Sequence, residues 1–275
     1  MYGYALLLIC APKFFWGLYF EEVCGDNCDM VYFTSRFFGG LAIAFGTAGV
    51  LAPDCTGTAI MFLVFMFTSM FECLGVFAGF YGDGWTAMWY LQIVSQVVFL
   101  TLALIQYNGS AGVTNIASGR GIDQVNINKF LAICFLGYAV FMIGTPSDFL
   151  ALYWDEATAL KANVTVLTAR VSGLAMLAMA VGGLLDPKGD GPTTTFAVGN
   201  CITLLTFVFI FFNAFGKQWT ALWYPQMVIN AFYATIAVIS YMKGPGAQWC
   251  GKKPQNMTAG ATRASQSFDE PRGAP

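Results

Sequence analysis

The stretch GWTAMWYLQ, residues 84–92, returns as QWTALWYPQ at residues 218–226. Trp85, Thr86, Ala87, Trp89, Tyr90 and Gln92 reappear as Trp219, Thr220, Ala221, Trp223, Tyr224 and Gln226, all at an offset of 134 positions. The same offset holds outward from the phrase, without a gap. Gly3-Tyr4-Ala5 meets Gly137-Tyr138-Ala139, and Pro12, Phe15, Leu18 and Tyr19 meet Pro146, Phe149, Leu152 and Tyr153. Arg36 and Gly39 meet Arg170 and Gly173; Gly49, Leu51 and Pro53 meet Gly183, Leu185 and Pro187; Tyr107 meets Tyr241. Compositional bias does not align Trp, Pro, Arg and Gln together at one fixed spacing, so the chain reads as an internal duplication.

What is duplicated is membrane protein. The 275 residues are 57% hydrophobic and 10% charged, against about 25% charged in a soluble domain. Apolar stretches of about 20 residues, the length that crosses a bilayer, occur at 1–20, 32–52, 59–81, 85–107, 129–148, 166–185, 194–215 and 219–242. The expected fold is an all-α integral membrane protein of about eight transmembrane helices, arranged as two parallel four-helix repeats. Residues 1–107 form the first repeat and 129–242 the second. A polar, Gly-rich linker (108–128) joins them, and a polar tail (243–275) follows. Four helices per repeat is an even number, so both repeats enter the membrane in the same direction and both ends lie on one face.

Charges orient the chain. Arg120, Lys129, Lys188, Lys243, Lys252, Lys253, Arg263 and Arg272 fall on the face of the termini. The opposite face sets Lys13, Arg36, Lys161, Arg170 and Lys217 against Glu21, Glu22, Asp26, Asp29, Asp83, Asp148, Asp155 and Glu156. The positive-inside rule then places the termini on a cytoplasmic, stromal or matrix side. Cys24 and Cys28 fall on the other side, where a local disulfide is allowed. The net charge of −2, without a basic run, points to no nucleic-acid partner.

As a helix, the repeated phrase puts Trp85, Trp89, Gln92 and Gln96 on one face, and Trp219, Trp223, Gln226 and Asn230 on the matching face. The plain reading is an interfacial aromatic belt with amides that bond a neighbouring helix. The functional reading is a ligand groove, in which a carboxamide oxygen coordinates a hard cation such as magnesium, including the central ion of a chlorophyll, and indoles stack on a flat ring. Glu72, within SMFECLG, is a carboxylate inside an apolar segment and therefore a functional candidate. Its counterpart is Thr206, so its role is not duplicated. Arg36 and Arg170 read as interfacial arginines paired with Glu22 and Glu156.

The chain has no histidine and no G-x-S-x-G, P-loop or H-E-x-x-H motif. The expected function is a non-catalytic accessory subunit of a large photosynthetic or respiratory membrane complex, contacting lipids and other integral-membrane subunits. Chlorophyll or carotenoid, and lipid, are the ligand classes that fit its aromatic helices, in a thylakoid or other organelle membrane. The candidate ligand pool is Glu72, Gln92, Gln96, Asn200, Asn213, Gln226 and Asn230, with Trp85, Trp89, Trp219 and Trp223 beside it. A small-solute transporter or channel built from the two repeats is the alternative.

Overall fold

A computed structural model describes residues 2–24, 28–110, 122–155, 163–212 and 219–245. They form the helices α1 (Tyr2–Cys10), α2 (Pro12–Gly17), α3 (Asp29–Leu51), α4 (Thr56–Phe77), α5 (Met88–Ser110), α6 (Ile122–Gly144), α7 (Pro146–Ala151), α8 (Asn163–Leu185), α9 (Asp190–Phe211) and α10 (Trp223–Lys243). Of the expected linker, residues 108–110 close α5 and 122–128 open α6, while 111–121 and the tail beyond 245 lie outside the described residues.

Among the described residues six helices are long and apolar enough to cross a membrane: α3, α4, α8 and α9 in full, with residues 88–109 of α5 and 124–144 of α6. The chain is a multi-pass membrane protein. The expected 1–20 span is broken by Pro12. A proline lacks an N–H and forces the residue before it out of the helical region, and Ala11 stands at φ −140, ψ 55. Thr145 before Pro146 does the same at φ −134, ψ 61, so the expected 129–148 span stops at Gly144. The nine residues of α1 reach about 14 Å, half the hydrocarbon thickness. The expected 219–242 span is α10, which is long enough, but its buried Gln226, Asn230 and Ser240 lower its apolarity.

α3 and α8 form the centre, with 61% and 72% of their apolar windows buried, against 17% for α5. α3 and α4 diverge, and so do α8 and α9. α3 packs along α9, and α4 along α8, so the first and second halves interlock. α1 lies on α3 and α6 on α8; α5 lies on α4 and α10 on α9. Glycines permit the closest approaches. A Cβ at Gly39 would lie 2.8 Å from Ile9 Cγ1 of α1, and one at Gly173 would lie 2.9 Å from Met142 Cβ of α6. The α4 N-terminus exposes unsatisfied N–H groups. Gly57 N donates to Asp186 Oδ2 of the other half at 2.9 Å, placing a carboxylate at the positive end of the helix.

The helix ends opposite the 52–55 and 186–189 turns form a second face, here the cap face. There α2 and α7 are fastened to the repeated aromatic phrase. Phe20 and Trp85 form an antiparallel bridge, and so do Trp154 and Trp219. Thr86 N donates to Tyr19 O at 2.8 Å and Thr220 N to Tyr153 O at 3.0 Å. The Thr86 hydroxyl donates to Leu18 O, and that of Thr220 to Leu152 O at 2.6 Å. Cys24 and Cys28 are joined as a disulfide on this face.

Candidate functional site

Because α3 and α4 diverge, the first half contains a gap that no helix fills. It is a cavity of about 390 Å³ between α1, α3, α4 and α5, backed by Leu167 and Val171 of α8. α4 contributes Phe62, Phe65, Met66, Ser69, Glu72 and Cys73, a continuous helical seam. α5 contributes Trp89, Gln92, Gln96, Phe99, Ala103 and Gln106, a run of about 25 Å along its axis. The cavity is thus an elongated groove. Its rim includes Tyr4, Phe99 and Leu102, all exposed, so it opens on the flank of the bundle.

Four expected ligand-site residues meet here: Glu72, Trp89, Gln92 and Gln96. The stripe faces inward. Trp89 and Gln96 are 4% and 8% exposed, whereas Tyr90 and Val94 between them are each 58% exposed. Trp89 Nε1 donates to Tyr19 O at 3.0 Å, which anchors α5 to the cap. Gln92 Oε1 accepts from Tyr4 OH at 3.2 Å and Tyr19 OH at 3.1 Å. Both lone pairs of that oxygen are occupied, which leaves the carboxamide N–H₂ as its free functionality. Gln96 Oε1 lies 3.3 Å from Ser69 Oγ.

Glu72 lies nearer a helix end than its place in the expected 59–81 span. α4 ends at Phe77 rather than 81, so the carboxylate lies close to the cap-face end of its helix, where charge costs less. It accepts a hydrogen bond from Tyr81 OH, and Arg170 Nη1 donates to the same hydroxyl at 3.1 Å with its guanidinium 5.7 Å from the ring centroid. Arg170 therefore reaches an acid of the first half through a tyrosine. Its expected partner Glu156 lies outside the described residues. Burial and the carboxylate of Glu72 push the Tyr81 phenol well above the ordinary tyrosine value, while Arg170 pulls it down. Arg36 donates from Nε to Ile9 O at 2.9 Å.

The equivalent place in the second half is nearly filled, with a cavity of about 60 Å³ lined by Trp219, Gln226 and Asn230 among others. Phe207 stands where the first half has Cys73, and its ring packs on Trp223 at 4.5 Å. α10 touches α6 directly, whereas α5 stands further from the much shorter α1. Gln226 repeats the tyrosine pair, with Tyr138 OH and Tyr153 OH each 3.1 Å from Oε1. Trp85 lines neither cavity and packs on Phe77 and Tyr90. Trp223 and Asn200 also line neither; Asn200 Nδ2 donates to Phe196 O of its own helix at 2.7 Å. Asn213 lies outside the described residues.

Tyr4, Tyr19, Ser69 and Tyr81 complete the site and were not among the expected residues. Tyr4 and Tyr19 carried a usable signal, since both recur at the 134 offset, as Tyr138 and Tyr153, alongside the repeated glutamine. Ser69 and Tyr81 are not repeated and carried none. Among the described residues no group of three or more Cys, Asp or Glu side chains is placed to hold a metal ion. No protein-family model, curated protein or solved structure matches the chain.

Proposed function

We propose that the chain is a non-catalytic membrane subunit that holds an apolar ligand, a lipid or a pigment, lengthwise in the groove between α4 and α5, within a larger membrane complex. The groove of about 390 Å³ carries this reading. It lies within the usual range of ligand pockets, about 300–1,000 Å³, and shares their character of apolar walls with a few convergent polar groups. Its near-closure in the second half supports a role tied to one site. The weakly buried face of α5 suits contact with lipid or a neighbouring subunit.

In the same reading the chain is two parallel repeats about an axis along the membrane normal, with the termini on the cytoplasmic, stromal or matrix side. Matched contacts at the 134 offset support the layout: the two cap bridges, the two Tyr–Gln clusters and the two glycine contacts. The centre gives no support to a path for solute, because Thr34 and Thr168, both buried, bond each other there. The test is purification of the chain in mild detergent, followed by absorbance and chemical analysis of the extract. A stoichiometric lipid or pigment is expected; a chain free of both removes the proposal.

A further inference from the structure

We infer that the cap-face end of the groove takes the neutral, carbonyl-bearing head of an elongated apolar molecule, whose oxygens accept from the carboxamide N–H groups of Gln92 and Gln96. This rests on the reading of the groove as a ligand site and names the chemistry of its occupant.

The two halves provide an internal comparison. In the second half Gln226 Nε2 donates to Tyr138 OH at 2.8 Å, and Asn230 Nδ2 donates to Gln226 O at 2.8 Å. Both carboxamide donors are satisfied by the protein, and the cavity is almost closed. In the first half the oxygens are engaged by Tyr4, Tyr19 and Ser69, while neither Gln92 Nε2 nor Gln96 Nε2 donates to a described residue. Gln96 is 8% exposed and lines the groove. Gln92 is half-buried and Gln96 buried, and both line the groove, so their carboxamide donors, one helical turn or about 6 Å apart, are available to an occupant of an otherwise apolar channel. They call for acceptors.

Glu72 decides what kind. A carboxylate on the α4 wall of the same groove disfavours an anionic head. The Arg170 guanidinium, linked to it through Tyr81, already balances its charge, so no cationic head is required. A neutral acceptor remains, and the apolar walls running down past Phe62 and Leu102 fit the attached chain. Ester carbonyls of a glycerolipid and ring carbonyls of an isoprenoid quinone share this chemistry.

The test uses the full chain in mild detergent, stripped of co-purifying lipid. Trp16 and Trp89 line the groove, so quenching of tryptophan fluorescence reports occupancy. Three probes are titrated: decyl-ubiquinone, a dioleoylglycerol brominated on its acyl chains, and a brominated long-chain alkane without a carbonyl. Saturable quenching by either carbonyl probe, tighter than by the alkane, supports the inference and identifies the source. Gln96→Leu and the near-isosteric Gln96→Met are each expected to weaken that probe about tenfold, one neutral hydrogen bond, and to leave the alkane unchanged. If alkane and carbonyl probes bind alike, or if both variants bind the carbonyl probe as the parent does, the inference fails while the groove survives as a ligand site. If no probe gives saturable quenching, both fail.

Discussion

Thr168 donates a hydrogen bond from Oγ1 to Thr34 Oγ1 at 2.7 Å, although the two residues are 134 positions apart. They are each other's counterparts in the repeated sequence, so the proposed axis passes between their hydroxyls. Thr34 donates to Met30 O one turn back at 2.9 Å, which leaves its oxygen to accept; Val164 O, 2.7 Å from Thr168 Oγ1, is the alternative acceptor for the single Thr168 proton. The central helices are thus joined by a bond that each residue shares with its own copy.

Replacing either threonine by valine removes that shared bond while keeping the shape. Each single substitution is expected to cost about 1 kcal/mol, and the double variant less than the sum of the two by about 0.5–1.5 kcal/mol. Denaturant unfolding in detergent measures the cycle. Strict additivity would show that the two hydroxyls are not coupled.

Phe207 closes the second cavity. Truncation to alanine is expected to cost about 3–5 kcal/mol, as for other buried phenylalanines, and to open a second site. Thermal unfolding reads the cost, and the amount of apolar ligand bound per chain reads the opening. A variant as stable as the parent would mean that Phe207 is not what fills the gap.

Two phenols outside the spans should make the fold sensitive to alkali. Burial pushes the Tyr153 phenol up to about 12, and the Tyr81 phenol is shifted the same way. Between the ordinary tyrosine value of about 10 and these raised values the folded chain holds protons that the unfolded chain has released. Their contribution is complete below pH 10 and falls as pH rises from 10 towards 12. Tm measured across that window should drop, and less steeply in Tyr81→Phe. Equal slopes in parent and variant would contradict this assignment.

The Cys24–Cys28 disulfide tests the proposed orientation. In sealed vesicles that keep the native outer or lumenal face outward, a membrane-impermeant reductant followed by a maleimide should label Cys24 and Cys28 from outside. Protease added outside should leave the 246–275 tail intact. Tail cleavage without labelling would reverse the orientation.

Much of the helical layout was legible because apolar runs of membrane length leave little freedom: the segments expected at 32–52, 166–185 and 194–215 appear as α3, α8 and α9 with ends shifted by a few residues. Pro12 was visible as an interruption, yet its effect on the 1–20 segment depends on Ala11 leaving the helical region, a local event that hydropathy does not register. Glu72 was found from its cost alone. Its partners were not, because Tyr81 and Arg170 come from separate segments that meet only when α4 crosses onto α8. The interlocking of the halves was equally hidden: a repeat states which contacts recur, not whether each unit packs on itself. The open groove could not be read from Cys73 against Phe207 without knowing that both positions face the same kind of gap.

The central claim is one ligand site, open in the first half and filled in the second. Native mass spectrometry of the chain released from mild detergent tests it most directly, with Cys73→Phe as the variant that copies the second half into the first. The account predicts a parent mass with one apolar ligand bound and a folded Cys73→Phe mass without it. A bare parent chain, or the same adduct on both, would contradict it.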